Sequence, residues 1–314
     1  MTVVIWLDLK MVRITLIYME LKPGTYVVAV SGGVDSVALL HMLQQQAQEQ
    51  SLKLIVAHYD HGIRPESAED RQHVQRLAQT YGLPFVYDEG HLGAGASEAA
   101  ARQARYDFLH NVRRKGGARA VVTAHHQDDA LETAILNILR GTGRKGLSSL
   151  DHQSTVHRPL LHLSKQELRN YAQANGLVWH EDSTNQDLAL ARNYVRHKIL
   201  PRLDPAARQQ LHQSVVKQRQ VNRELDTLLV NLLHSQSQAG KLDRVWFRSL
   251  PHKSAREVMA AWLRAHNIRE FDRPTLERLV VAAKVAPINK QFSLLQNHIM
   301  SIGSEYLALM PLER

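Results

Sequence analysis

Tyr26-Val27-Val28-Ala29-Val30 runs directly into Ser31-Gly32-Gly33-Val34-Asp35-Ser36 and then into the apolar-patterned stretch Val37–Gln46. A short β-branched run, a glycine pair and a helical pattern make a strand, a loop and a helix in succession. In a parallel α/β domain such a loop lies at the carboxyl end of its strand, where ligands bind. The glycines let the backbone approach a ligand, successive N–H groups form an anion nest, and the helix N-terminus adds positive potential. The loop therefore predicts a phosphate ligand cradled by Ser31, Gly32, Gly33 and Ser36, with Val34 and Asp35 in the same string. It is neither a Walker loop, which needs a lysine after its last glycine, nor GxGxxG.

Outward from this unit the alternation continues. Strands are predicted at Leu54–Tyr59, Pro84–Tyr87, Ala120–Ala124 and Leu177–His180, with helices over Ala68–Tyr81 and Ser97–Arg114. A further helix starts at Ser164, with Glu167 completing a capping box, and stops at Gly176. This pattern predicts an α/β fold with a doubly wound, mainly parallel sheet, followed by a smaller and mostly helical domain. The helices of that second part are predicted at Gln209–Ser235, Ala255–His266 and Pro274–Val285, with closing strands near Gln291–Leu295 and Tyr306–Met310.

The 314 residues, 44% of them apolar, suffice for two domains with cores of their own. Residues 1–22 are assigned to an N-terminal extension, 23–205 to a catalytic domain and 206–314 to a basic domain. Asp8, Lys10 and Arg13 interrupt the apolar N-terminal stretch too often for a membrane span, so a cytoplasmic protein is expected. The 39 Lys and Arg exceed the 30 Asp and Glu by nine, and seven of those nine charges fall after residue 205. That asymmetry suits a polyanionic partner. The chain has no cysteine, which excludes disulfides, thiolate zinc sites, iron–sulfur clusters and thiol nucleophiles.

Two further motifs end predicted strands: His58-Tyr59-Asp60-His61-Gly62-Ile63-Arg64 and Thr123-Ala124-His125-His126-Gln127-Asp128-Asp129-Ala130-Leu131-Glu132-Thr133. Spacings of three and four bring Asp128 and Asp129 near Glu132 on one helical face. Such carboxylates can hold Mg2+ with a nucleotide, or an ammonium group; a plain N-cap role and a divalent-metal hydrolase are the alternatives. Arg140-Gly141-Thr142-Gly143-Arg144 follows as a basic loop suited to phosphate.

The SGGVDS string resembles the loop of the PP-loop ATP pyrophosphatases, and the ordered set resembles the tRNA(Ile)-lysidine synthetase family. That set is SGGVDS, HYDHGIRPES, AARQARY, TAHHQDDALET, RGTGRKGL, RPLL, HEDSTN and RNYVRHKILPRL, spread over residues 24–205. Ala130 stands where the family often has Gln, and the match is looser after residue 205. A further C-terminal domain of long family members has no counterpart in this sequence.

The resemblance implies an adenine-nucleotide α-hydrolase-like fold and a ligase. Its substrates are ATP with Mg2+, L-lysine and isoleucine tRNA with a CAU anticodon. ATP adenylates the wobble cytidine at carbon 2, lysine displaces AMP, and the resulting lysidine reads AUA instead of AUG. On that reading Asp35, Asp60, Asp129 and Glu132 are the catalytic candidates, and Asp35 with Asp128 the candidate Mg2+ ligands. His125 joins the PP-loop residues in binding ATP. His61, Arg64, Arg102, Arg105, Arg140, Arg144, Arg192 and Arg196 contact the tRNA, and the basic domain binds it too. A homodimer is compatible with the resemblance. The competing readings are a tRNA thiolase, an amide-forming synthetase and an RNA-binding module without catalysis; thiolases with this loop typically carry cysteines.

Overall fold

The computed structural model describes residues 19, 21–60, 62, 67–90, 97–142, 144–148, 150, 155–180, 190–238, 240–268, 271–294 and 298–311. The chain divides into two compact units, Met1–Arg219 and Gln220–Arg314, and the division falls inside one long helix.

The first unit contains β1 (Gly24–Ala29), α1 (Val34–Gln50), β2 (Leu52–Asp60), α2 (Ser67–Thr80), β3 (Phe85–Glu89), α3 (Glu98–Lys115), β4 (Ala120–Val122), α4 (Gln127–Leu139), β5 (Val156–His157) and α5 (Lys165–Ala174). A short α6 (Ala191–Tyr194) widens into a π-helical turn, Val195–Ile199, before the long α7 (Pro205–Gln236). The sheet order is β3-β2-β1-β4-β5 and every pairing is parallel.

β1 is central and covered on both faces, which is why it reads as a continuous apolar run rather than an alternating one. Its residues nevertheless divide by parity. Tyr26 and Val28 face a core built with Leu39, Leu40 and Leu43 of α1, Val74 and Ala78 of α2 and Leu168 of α5. Val27 faces Phe108, Leu109 and Val112 of α3. Met19 and Leu21 are also buried in the first of these cores. Each fully buried leucine contributes about 1.5–3 kcal/mol through its burial.

This order creates a switch point. From β1 the chain crosses through α1 to β2 on one side, whereas β4 lies on the other side of β1. The loops leaving the carboxyl ends of β1 and β4 therefore diverge and open a crevice.

One predicted strand is corrected. Among the described residues Leu177–His180 pairs with no strand; β5, at Val156–His157, takes the fifth place in the sheet. The backbone N–H of His180 instead donates to Gly32 O at 3.1 Å, so the segment lies on the phosphate loop. An apolar run has strand propensity only where a ladder is available to it. The capping box at Ser164 forms as expected: Ser164 Oγ accepts from the Glu167 N–H, and Glu167 accepts from the Ser164 N–H.

The second unit holds the end of α7, then β6 (Ser237–Gln238), β7 (Lys241–Asp243), α8 (Arg244–Ser249), α9 (His252–Ala265), α10 (Arg273–Val285), β8 (Gln291–Leu294), β9 (His298–Ile302) and β10 (Tyr306–Pro311). It is helical in majority, but its sheet has five antiparallel strands in the order β6-β7-β10-β9-β8, where two strands were expected. Trp262, Phe247, Met259, Met300 and Leu307 fill the core between helices and sheet. Arg244 is buried within it and donates to the carbonyls of Ala283 at 3.0 Å, Ala286 at 2.6 Å and Gly303 at 2.7 Å. Asp243 and Asp272 cap α8 and α10 by accepting from the Trp246 and Thr275 N–H groups. Among the described residues no helix is long and apolar enough to cross a membrane.

Candidate active site

The phosphate loop is organised from within. Gly32 has φ +97°, a conformation open to glycine and strained for other residues. Ser36, in the first turn of α1, ties the loop together: its Oγ accepts from the N–H groups of Ser31 at 3.2 Å and Gly32 at 3.3 Å and donates to Gly33 O at 2.9 Å. Gly33 is the N-cap of α1, so Val34 and Asp35 occupy the first helical positions, whose N–H groups have no acceptor within the helix. Those donors and the helix dipole favour an anion here. Behind Gly32 stand Asp70, His73 and Val74 of α2. Asp70 bonds His180 Nδ1 at 2.8 Å, and the rings of His73 and His180 stack at 4.5 Å.

Across the crevice, the segment after β4 delivers His125, His126 and the start of α4. His126 is buried, with Nε2 at 3.5 Å from Asp35 Oδ2 and 3.4 Å from Asp129 Oδ2. Burial opposes its charge, but Asp129 and Asp35 outweigh that and raise it to about 9, so the ring is an imidazolium at neutral pH. Asp129 also accepts from the His126 backbone N–H at 2.9 Å. Although burial acts against ionisation, the charge of His126 and its neighbours holds Asp129 below its ordinary value.

His125 goes the other way. Burial, with the charges of Arg158, Arg102 and Arg105 added and only Asp129 opposing, lowers it to about 3, so it stays neutral. It pairs with Thr123 Oγ1 at 2.8 Å. Both histidines are opposed by burial, and they carry different charges because His126 has the carboxylates of Asp129 and Asp35 to outweigh it, whereas His125 has Asp129 offset by nearby guanidiniums.

The π-helical turn supplies the other wall. Arg196 grips Glu132 bidentately, Nε to Oε1 at 2.6 Å and Nη2 to Oε2 at 2.9 Å, and reaches to 3.6 Å from Asp129 Oδ1. Glu132 is 0% exposed; burial pushes its carboxyl up while Arg196 pulls it down. Arg192 donates to Thr133 Oγ1 at 3.2 Å and stands 3.8 Å from Glu132 Oε2. A π-turn rotates successive side chains out of the 3.6-residue register, and such turns recur at functional sites.

The predicted site residues divide into groups. The PP-loop string, Asp35, His125, Asp129, Glu132, Arg192 and Arg196 gather at the crevice. On α3, Arg102 and Arg105 approach the Tyr106 ring at 5.0 and 5.6 Å, and their charges reach His125. Asp128 turns elsewhere: it accepts from the Lys165 N–H at 3.3 Å and lies 3.8 Å from Arg208. Asp60, at the end of β2, accepts from the Gly62 N–H at 2.8 Å and shapes the turn there. Arg140 and Arg144 follow the far end of α4, roughly 20 Å along the axis from His126 at 1.5 Å per residue. His61 and Arg64 lie outside the described residues.

Sequence reasoning assigned no specific role to Arg158, buried beside Tyr106, or to Asp70, His73 and His180 behind the phosphate loop. Arg158 and His180 stood inside quoted motifs, RPLL and HEDSTN, which was the only signal available. His126 was visible in its motif but not its bridging position.

Among the described residues no group of three His, Asp or Glu side chains converges as a metal site. Asp35 Oδ1 is buried without a hydrogen-bond partner. One such carboxylate oxygen fits Mg2+, which is commonly held by one or two carboxylates together with substrate phosphates.

A PP-loop domain model matches residues 9–203 of this chain. The tRNA(Ile)-lysidine synthase of Thermus thermophilus is 45% identical over 194 residues, covering 59% of this chain and 37% of that protein. That of Lactiplantibacillus plantarum is 34% identical over 271 residues, covering 82% and 60%. The Gloeobacter violaceus protein of the same name is 34% identical over 304 residues and is covered to 92%, as is this chain. The chain thus spans 37–60% of several long relatives and nearly all of a short one. Among solved structures, the U34-tRNA thiolase NcsA from Methanococcus maripaludis with its 4Fe–4S cluster shares the fold, with a TM-score of 0.54 and 16% identity over 62% of this chain and 72% of that one.

Proposed function

This chain belongs to the tRNA(Ile)-lysidine synthase family of PP-loop proteins, and from that premise we propose that it joins L-lysine to carbon 2 of the wobble cytidine of CAU-anticodon isoleucine tRNA at the expense of ATP. The observation that carries the reading is the meeting of the PP-loop carboxylate, Asp35, with the α4 carboxylate, Asp129, at the switch point of the sheet. One side suits a polyphosphate and the other an ammonium group.

In the first step the cytidine O2 attacks the α-phosphorus of ATP and pyrophosphate leaves. The loop from Ser31 to Ser36 holds the departing pyrophosphate through N–H groups and the positive end of α1; fixed donors of this kind usually make the largest electrostatic contribution. Mg2+, bound by Asp35 and the phosphates, would neutralise charge on the leaving group. The O2 adenylate is then a good leaving group. In the second step the lysine ε-ammonium gives up a proton to water, the neutral ε-nitrogen attacks carbon 2, the C–O bond breaks, and AMP departs with the bonding electron pair.

Lysine is a zwitterion with a second ammonium, and the crevice has walls of both signs. Asp129, kept ionised, holds the ε-ammonium next to the base; Arg192 and Arg196 face the α-carboxylate, and Glu132 fixes Arg196 in place. An Asp held below its ordinary pKa suits binding of an ammonium better than removal of its proton. Arg102 and Arg105 present guanidiniums for RNA phosphate, and neutral His125 offers a flat ring on which an unstacked base can rest. Residues 206–314 supply further basic contacts to the tRNA. Without cysteine the chain has no thiolate for a cluster, which disfavours sulfur transfer.

The test is mass analysis of isoleucine tRNA after incubation with ATP, Mg2+, lysine and the protein. The expected product is one cytidine heavier by a lysyl group with loss of water, and release of AMP. An unchanged tRNA under conditions where the protein is folded and binds ATP overturns the reading.

A further inference from the structure

The imidazole of His126 is shared. Its Nε2 carries one hydrogen, yet two carboxylate oxygens stand at almost the same distance, Asp35 Oδ2 at 3.5 Å and Asp129 Oδ2 at 3.4 Å. The ring has little freedom to serve a third partner, because His126 is 3% exposed and begins α4. Asp35 sits on α1 and Asp129 on α4, two elements that come together here only through the loops leaving β1 and β4.

We infer that His126 is a positioning residue whose single Nε2 hydrogen passes between Asp35 and Asp129, so that engagement of one carboxylate weakens ligand binding at the other. The inference rests on the reading that Asp35 serves the nucleotide and Asp129 the lysine ammonium. When a ligand draws Asp35 away from the ring, the hydrogen turns to Asp129 Oδ2, which already accepts from the His126 backbone N–H, and that oxygen's remaining capacity to meet an ammonium is lost. When pyrophosphate leaves, Asp35 recovers its share and Asp129 is freed. The two steps are thereby ordered: lysine binds well only after the nucleotide has reacted. Because coupling is reciprocal, lysine weakens engagement of Asp35 by the same factor.

Calorimetric titration of L-lysine alone into the full chain tests this. Asp35→Ala mimics complete withdrawal of Asp35 and hands the hydrogen to Asp129, so lysine affinity is expected to fall about fivefold or more, the lower end of ordinary coupling. In a His126→Asn background, which keeps an N-cap residue but cannot span both carboxylates, the same Asp35→Ala change is expected to alter lysine affinity less than twofold. A merely structural role for His126 would leave the Asp35 effect intact in that background, and that result overturns the inference. Should His126→Asn fail to fold, the series wild type, Asp35→Asn, Asp35→Ala decides, since asparagine keeps an acceptor where alanine has none. Lysine affinity decreasing along that series supports the inference, and equal affinities refute it. If the wild type binds ATP but not lysine, the assignment of Asp129 to lysine fails, and the coupling falls with it.

Discussion

The two units bury charge in different ways. In the first, charged side chains face one another: Asp35, His126, Asp129, Arg196 and Glu132 form a continuous chain with partners of alternating sign. In the second, Arg244 is buried and donates to three backbone carbonyls. Side chains that answer one another can exchange partners when a ligand arrives, whereas a guanidinium spent on main-chain oxygens can only hold the fold. Buried charge at the carboxyl ends of the parallel sheet is therefore read as functional, and buried charge in the antiparallel unit as structural.

The largest expected effect is on activity. Asp129→Ala should reduce lysine incorporation by at least about 10³-fold, corresponding to about 4 kcal/mol, while circular dichroism shows a folded protein. Near-normal turnover would break the functional side of the comparison. Glu132→Ala strips Arg196 of its fully buried bidentate partner, and breaking a buried pair costs about 3–5 kcal/mol, reduced here because Arg196 is itself 22% exposed. Urea unfolding should register that loss together with a poorer KM for lysine, because Arg196 loses its support. Arg244→Met removes the three hydrogen bonds that this side chain donates to backbone carbonyls and is expected to lower stability by roughly 2–4 kcal/mol with no change in ATP affinity. A drop in ATP affinity as large as the loss of stability would contradict the separation of roles.

The smallest effect concerns pH. His125 is lowered to about 3 when folded and titrates near 6.5 when unfolded, so below 6.5 the unfolded chain binds a proton that the folded chain refuses. Stability from this group is complete above pH 6.5 and declines as pH falls toward 3, by about 2 kcal/mol between 6.5 and 5. Thermal melts of His125→Asn should show a shallower decline over that window; an identical slope would mean another group carries it.

Much of the first unit was legible because parallel α/β units carry strong local signals. β-branched runs gave β1 and β2, Ser164 with Glu167 gave the start of α5, and SGGVDS following a strand marked the ligand end of the sheet. Leu177–His180 misled because an apolar tetrapeptide does not reveal whether a neighbouring strand has room for it. The strands β6, β7 and β9 were missed in a helix-rich stretch, since two- to five-residue antiparallel strands leave almost no periodicity. Helical spacing grouped Asp128 with Asp129 and Glu132, yet Asp128 answers Lys165 and Arg208, which lie 37 and 80 positions along the chain.

By itself, then, the sequence determined the parallel architecture, the phosphate loop, the lack of any thiol and the set of charged residues available to the site. Those properties depend on side-chain type and on spacing within a few residues, which local chemistry dictates. Only the tertiary structure decided the pairings: that one imidazole stands between Asp35 and Asp129, that Glu132 is committed to Arg196, and that His125 is neutral beside a charged His126. Partner choice and charge state depend on burial and on groups brought together from distant positions, and the order in which the strands pack sets both.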